Sequence, residues 1–524
     1  MKKYGLLGIL LCFSLLSGCA GTAGNEMMKE KTEDNDLPDT LGLAPEFDYE
    51  VPENLPDILV DQAGYQTQGE KMVVFRGNHI PENFEVVRTD TEEIVYTGTV
   101  EDRGYNEVTL ENNSYGTFDE LIEEGNYYIQ APGLGRSYSF EIENDIYNNI
   151  FDAACRRYYL NRCGMTLVEE LAGDAAHTAC HMKLAFLSED LSVQMDVSGG
   201  WHMDENYSKN VRKGSDVLAN LLLAYELYPD AFLDEAGIPE SGNGIPDILD
   251  EMKYETDWML KMQDKVTGGI YSEAVWKKQE TAGYLSRQDI YVEPVTLQAT
   301  ASFAAVMAKF SYIYQEFDKA YATECLRAAD RAWKFLEKGR KEGDVEYRFY
   351  AAAELYRATG YPSYQQAAEE YLNDSSYKNM EEDGTFWGCV TYLSTRQSVD
   401  VNLCSNIMKE LMVEAEEISE KARKSQYLTA GNREQDNNAE LLHELMRLTV
   451  VDHIIANHEY ETVIENHLHY FMGRNAKAIS YLDGVGERNY ADIDTGLGIM
   501  NRFDLNAELI FMMSEVMSWH RNLR

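Results

Sequence analysis

From about Asp145 to the C-terminus the chain carries helical periodicity, with no strand pattern evident between the helical runs. Asn243-Gly244-Ile245-Pro246-Asp247 reads as a helix start. Its proline falls in the first turn, where a missing N–H costs nothing. Ile245, Ile248, Leu249, Met252, Trp258, Met259 and Met262 follow at three- and four-residue spacing, and only Glu255 interrupts the apolar stripe. Further helices are expected over Gly214 to Tyr228, Ala299 to Tyr314, Ala320 to Leu336, Arg348 to Ala358, Tyr364 to Leu372, Ala439 to Ala456 and Leu505 to Trp519. Periodicity alone specifies a large all-α domain.

The segment before it has the opposite character. Between Ile58 and about Ile142, short runs such as Met72-Val73-Val74-Phe75, Phe84-Glu85-Val86-Val87 and Tyr127-Tyr128-Ile129 are separated by Gly, Asn, Asp and Pro. Short strands at that spacing suit a β-sandwich. Residues 20–55 are rich in Glu, Asp, Gly, Thr and Pro, the composition of a solvated tether.

The N-terminus reads as an export signal. Lys2 and Lys3 precede an apolar run from Leu6 to Leu16, too short for a permanent membrane span. Leu16-Ser17-Gly18-Cys19 resembles a lipobox, which implies cleavage before Cys19, lipidation of its thiol and a cell-surface lipoprotein anchored to a bacterial membrane. No later segment is long and apolar enough to span. Of eight cysteines, Cys12 and Cys19 fall in this signal; the other six are not spaced like a disulfide framework. The net charge of −44, from 46 basic and 90 acidic residues, disfavours nucleic acid, phosphorylated ligands and anionic membrane surfaces. A neutral polysaccharide is indifferent to it.

Gly199-Gly200-Trp201-His202-Met203-Asp204-Glu205-Asn206-Tyr207 resembles the Gly-Gly-Trp-His/Tyr-Asp-Ala-Gly-Asp-Tyr signature of glycoside hydrolase family 9, the cellulase family. Asn243 to Glu251 with Trp258 to Gln263, Ser302 to Ala308, Ala351 to Gly360 and Phe471 to Asn475 are similar to further blocks of that family, in the same order. Ile58-Leu59-Val60-Asp61-Gln62-Ala63-Gly64-Tyr65 resembles the opening strand of the immunoglobulin-like module that precedes many such domains, and Ser137 to Ile142 its close. The signal spans 1–19 and the tether 20–55; the resemblance implies an immunoglobulin-like β-sandwich over 56–144 and an (α/α)6 barrel over 145–524. It also implies a polysaccharide partner of the β-glucan type.

Cys163, Cys180, His181 and His202 form a Cys2His2 set suited to tetrahedral zinc, although their spacing alone is a weak signal. The resemblance sharpens it, because some family members bind zinc through an Arg-Cys-Gly cysteine, a Cys-His pair and the histidine after the signature tryptophan. Buried thiols with a core histidine, a Cys163–Cys180 disulfide, or His177 in place of His202 are the alternatives. Calcium occurs in some members, but no position here stands out for it.

Inverting glycosidases need two carboxyl groups across the scissile bond, roughly 6.5–9.5 Å apart. The resemblance places the two water-holding aspartates at positions 203 and 206, where Met203 and Asn206 stand. Six residues before Asn506, where it places the acid, stands Met500. The His-His-Arg loop it expects before that point is missing, since no histidine lies between Asn475 and Met500. A thioether and an amide cannot take a proton from water near neutral pH. A family 9-like protein that binds glycan without the standard machinery is therefore expected. A divergent hydrolase using Asp204 or Glu205, each one residue off register, is the alternative; Glu487, Asp492 and Asp494 are further carboxylates in the shortened loop. Trp201, Tyr207, Trp387 and Tyr392 are the candidates for sugar contact, because an aromatic face suits the C–H face of a pyranose.

Overall fold

The computed structural model describes residues 55–521, apart from positions 80, 108, 205, 277–288, 340–343, 375–379, 431–437, 456–457 and 491–497. Cys19 and the tether fall outside the described residues.

Ten strands build a two-sheet sandwich. They are β1 (Ile58–Leu59), β2 (Gly64–Tyr65), β3 (Met72–Arg76), β4 (Asn83–Arg88), β5 (Ile94–Thr99), β6 (Glu101–Asn106), β7 (Glu111–Thr117), β8 (Gly125–Ala131), β9 (Gly135–Arg136) and β10 (Phe140–Ile142). One sheet runs β1-β3-β7-β6; the other runs β2-β10-β8-β4-β5, with β9 on β8. Alternate residues such as Val73, Phe75, Phe84, Val86, Tyr127 and Ile129 fill the space between them, the period of two that a half-buried strand requires. Tyr65 packs edge-on against Phe118 and Phe140, with ring centres 5.2 and 5.3 Å apart.

The single opening strand expected from Ile58 to Tyr65 is two strands, one in each sheet. Asp61 makes the break: its Oδ1 accepts the N–H groups of Ala63 (2.8 Å) and Gly64 (3.0 Å), a local turn that competes with a straight ladder. Gly64, at φ +128°, is required there, because a Cβ would lie 2.1 Å from Glu141 O. The turn aims Asp61 and Gln62 out of the sandwich and into the helical domain. Gln62 N–H donates to Met472 O (2.9 Å), its Nε2 donates to Ala478 O (2.9 Å), and its Oε1 accepts from Arg488 N (2.9 Å). Asp61 Oδ2 lies 2.8 Å from His469 Nδ1. Gln62→Ala strands a buried carbonyl and a buried amide at once. It is expected to cost about 2–4 kcal/mol, read as a lower urea midpoint.

Among the described residues thirteen α-helices follow: α1 (Asn148–Leu160), α2 (Glu169–Ala172), α3 (Val211–Leu227), α4 (Asp247–Lys261), α5 (Leu297–Tyr314), α6 (Lys319–Lys338), α7 (Val345–Thr359), α8 (Pro362–Asn373), α9 (Asp383–Ser394), α10 (Val401–Lys424), α11 (Asn438–Ile454), α12 (Glu461–Phe471) and α13 (Phe503–Arg521). Burial sorts them into two rings. In α5, Ala299 to Ser311 are all buried, as are Gly384 to Tyr392 in α9, so these helices are surrounded by protein. By contrast α10 buries only the stripe Leu403, Ile407, Leu411, Ala415, Ile418 and Ala422, and α6 a similar one from Ala322 to Leu336. Helices α3, α5, α7, α9, α11 and α13 are the inner set; α13 packs on both α11 and α3. The fold is an immunoglobulin-like sandwich followed by an (α/α)6 barrel.

Two details differ from expectation. The helical domain does contain strands: 185–187, 194–195, 209–210, 273–276 and 290–292 make a small five-stranded sheet. Strands of two to four residues are too short to show a period. Helix α4 begins at Asp247, so Pro246 is its N-cap rather than part of the first turn. No helix among the described residues is long and apolar enough to cross a membrane.

Candidate functional site

The signature segment, 199–207, lies against the chain that leaves α1, where His202 N–H donates to Asn161 O (2.9 Å) and Cys163 N–H to Gly200 O (2.7 Å), and it leads into α3, whose start is capped by Asn210 accepting from Lys213 N (3.1 Å). Its anchor is Trp201, which is fully buried. The Trp201 backbone N–H donates to Glu255 Oε2 at 2.7 Å, and its indole N–H reaches Glu251 Oε2 at 3.4 Å. Glu251 in turn pairs with the buried Arg162 at 3.0 Å. Gly200, at φ +72°, lets the chain pass this point, since a Cβ would meet the Trp258 ring at 2.8 Å. Lys209 is also buried; its ammonium donates to Val197 O and to Gly199 O (2.8 Å).

Three of the four aromatic residues expected to contact sugar are buried instead. Trp201 offers no face to a sugar, because it is enclosed by Tyr158, Phe503 and the carboxylates of α4. Trp387 is buried, with its Nε1–H donating to Asn220 Oδ1 (2.9 Å). Tyr392 is buried, with its hydroxyl donating to Glu369 and accepting from Asp400 N (both 3.0 Å). All three rings are core packing. Tyr207 alone of the four has an exposed ring, in a left-handed backbone conformation at φ +57°.

The catalytic candidates fare as follows. Met203 is half-buried, and its Cε lies with Glu255 Oε1 against the same side of Gly214. Asn206 is exposed on the turn that follows. Asp204 is tied into that turn: Oδ1 accepts from Asn206 N (2.9 Å) and Ser208 N (3.1 Å), and Oδ2 from Ser208 Oγ. These bonds outweigh partial burial and hold its carboxyl below the usual range, the wrong direction for a general base. Met500 is buried and lines a cavity of about 550 Å³ with Asp152, Arg156, Arg157 and Asp483. Glu487 is turned to the sandwich, where its Oε1 accepts from Ser139 N (2.9 Å). Glu205, Asp492 and Asp494 lie outside the described residues.

Glu255 is the residue whose importance the sequence signalled without explanation. It is fully buried on α4, and its Oε1 has no hydrogen-bond partner. Burial pushes its carboxyl up to about 8. The folded protein therefore holds a proton that the unfolded chain releases from near pH 4.5. Stability from this group is complete below that pH and falls as pH rises toward 8. Glu255→Gln keeps the acceptor for Trp201 N–H and removes the titration. Between pH 5 and pH 8, urea midpoints are expected to move in favour of the variant by about 2–4 kcal/mol.

Cys163, Cys180, His181 and His202 converge beside the signature. Their donor atoms all lie within 4.8 Å of one another. Cys180 Sγ is 3.9 Å from Cys163 Sγ and 3.4 Å from His202 Nε2, and His202 Nε2 is 3.2 Å from His181 Nδ1. A zinc tetrahedron has edges of about 3.8 Å between sulfurs, 3.6 Å between sulfur and nitrogen and 3.3 Å between nitrogens. Donor set and spacing fit such an ion. Burial drives His181 down to about 4, which keeps it in the neutral form that ligates. His177 is not in the cluster; its Nδ1 faces Thr178 O at 2.9 Å. Trp276, unremarked in the sequence, covers the cluster with its ring 3.8 Å from that of His181.

Residues 147–494 match the profile of Glycosyl hydrolase family 9, and residues 53–136 that of the cellulase N-terminal ig-like domain. This chain belongs to glycosyl hydrolase family 9. Among its family 9 relatives, a cellodextrinase from Butyrivibrio fibrisolvens is 29% identical over 83% of this chain and 85% of its own length. Endoglucanase D from Acetivibrio thermocellus is 30% identical over 77% of this chain and 69% of its own. The crystal structure of a metagenome-derived family 9 endoglucanase superposes with a TM-score of 0.78 at 26% identity, covering 88% of this chain and 98% of that one.

Proposed function

We propose that this chain is an exported family 9 protein, held at the cell surface through a lipid on Cys19, that binds β-glucan-type polysaccharide without the standard hydrolytic machinery. One observation carries the reading: Met203, Asn206 and Met500 occupy the three positions where the family resemblance calls for carboxyl groups. General acid–base catalysis supplies roughly 10²–10⁴ per group, so losing both partners removes most of the rate. The substrate class follows from relatives named for cellodextrin and glucan cleavage. The hydrolytic alternative through Asp204 gains nothing from a carboxylate already bound within its own turn.

The metal cluster is proposed to hold structural zinc. Cys163, Cys180, His181 and His202 would supply all four ligands, leaving no open position for a reactive water. Bound there, the ion supplies a crosslink between the 163–181 segment and the base of the signature loop.

Affinity electrophoresis in gels containing barley β-glucan or xyloglucan, with reducing-sugar assays on the same polymers, tests the function. Retardation without release is the expected result. Release that disappears in Asp204→Asn or Glu205→Gln would replace the binder with a divergent hydrolase. Labelling of intact cells with radioactive palmitate, lost in Cys19→Ala, tests the anchor.

A further inference from the structure

Helix α1 carries one face that the barrel core does not use. Ile150, Phe151, Ala154, Cys155, Tyr158 and Tyr159 point into the core. Asn149, Asp152, Ala153, Arg156, Arg157 and Leu160 follow the same three- and four-residue spacing on the other side, and they line the cavity of about 550 Å³ beside Met500. The 172–173 turn, Ala236 and Asp483 complete its walls. Among the described residues, no member of the signature segment and no ligand of the metal cluster lines it. The cavity therefore belongs to the outward face of α1. Its size falls within the range of about 300–1,000 Å³ usual for small-molecule sites.

Two adjacent guanidinium groups set this cavity apart. Acidic residues outnumber basic ones 90 to 46 in the chain, so an arginine has no shortage of partners. Arg162 pairs with Glu240 and Glu251, Arg212 with Asp216, Arg357 with Glu226 and Glu354, and Arg447 with Glu414. Among the described residues neither Arg156 nor Arg157 is in an ion pair. Arg156 Nε is a buried donor with no hydrogen-bond partner. A guanidinium cannot shed its proton, so a buried donor of this kind costs free energy until an acceptor reaches it. The Arg156 head packs under the 236–237 turn, where a Cβ on Gly237 would stand 3.9 Å from Nη1. Arg157 and Asp483 act on the Tyr490 hydroxyl with opposite signs, which puts both beside that ring.

We propose that Arg156 and Arg157 form a carboxylate-binding site on the outward face of α1 for a hydroxylated monocarboxylate of sugar size, either a uronate carried on a chain or a free sugar acid. The planar guanidinium fork matches a carboxylate in two parallel hydrogen bonds. Asp152 and Asp483, on the walls, accept from the hydroxyl groups of the same ligand. Two cations and two anions line the cavity, so one ligand charge is accommodated, whereas a phosphate dianion meets both aspartates. A neutral sugar leaves the guanidinium donors unmatched. This site is independent of the glycan-binding reading, which its failure leaves untouched.

Isothermal titration of the purified full chain with glucuronate, with its neutral methyl ester and with glucose tests this. Glucuronate is expected to bind, and the ester and glucose are expected to show no binding, because neither carries the anion. Arg156→Gln/Arg157→Gln is expected to weaken glucuronate binding by about tenfold or more, through loss of charge-assisted bonds. Arg157→Lys keeps the charge without the fork and is expected to fall between the two. Lys334→Gln/Lys338→Gln removes the same charge from outer helix α6 and is expected to change nothing. Methyl glucuronoside, with its anomeric oxygen blocked, separates the sources: binding equal to that of glucuronate supports a chain-borne uronate, and weaker binding supports the free acid. Absence of glucuronate binding, equal binding of the ester, or a double arginine variant that stays within about twofold of the wild type overturns the site. The ester comparison uses the wild type alone, so it decides the question even where a variant folds poorly.

Discussion

Purified protein is expected to hold one zinc ion per chain by mass spectrometry of metals, and Cys163→Ser or Cys180→Ser to abolish it. The reason lies in what the four donors touch. Cys163, His181 and His202 are buried, Cys180 is half-buried, and His181 Nε2 has no hydrogen-bond partner. Two thiols and two imidazoles pressed within 4.8 Å of one another gain little without an ion between them. Structural zinc is worth about 10–16 kcal/mol in small peptides that fold around it. Here the surrounding barrel already orders the ligands, so only part of that appears as stability. A fall in Tm of about 10 °C is expected on removing the metal or one thiol, at the roughly 2–4 °C per kcal/mol typical of larger domains. Because cysteine ligates as thiolate, metal loss should also steepen at acid pH. A Cys163–Cys180 disulfide in the native protein, seen as a two-dalton mass deficit, would contradict the zinc reading.

Restoring the missing carboxylate alone is expected to damage the protein rather than revive it. Met203→Asp places a charged group where the thioether lies beside Glu255 Oε1 and Gly214. Glu255 is already buried and already pushed up to about 8, so the space cannot accept a second carboxyl cheaply. A loss of about 3–5 kcal/mol is expected. Above pH 8, where Glu255 ionises, a Glu255→Gln background should shrink the cost by about 2 kcal/mol, a coupling typical of neighbouring residues. Equal costs in both backgrounds, measured as urea midpoints, would show that Met203 and Glu255 are independent. Methionine at 203 and glutamate at 255 are thus expected to behave as a matched pair.

The change from short strands to long amphipathic helices was plain in the residues, and it delivered both domains. So was the Cys2His2 set, once the family resemblance named it. What the sequence hid has three physical causes. Strands of two to four residues, such as 273–276 and 290–292, are shorter than the period that would betray them. The stripe Leu403, Ile407, Leu411, Ala415, Ile418, Ala422 carries the helical period of α10, but the charged outer face dominates the segment and masks it in the sequence. Exposure is a tertiary property, so the sequence alone suits Trp387 and Tyr392 equally to a cleft or a core, and their bonds to Asn220 and Glu369 place them in the core. Glu255 shows the converse. A lone acid in an apolar stripe was visible from the start, but only the fold brings it under Trp201.

The proposed glycan-binding role depends on Met203, Asn206 and Met500 leaving no proton donor and acceptor in place across a glycosidic bond. Mixing the protein in excess with cellohexaose and following bond cleavage through a single turnover measures that step free of product release. No cleavage above the buffer blank over hours, with the sugar retained by the protein, is the predicted result. Conversion of bound cellohexaose within seconds by the unaltered chain would contradict it.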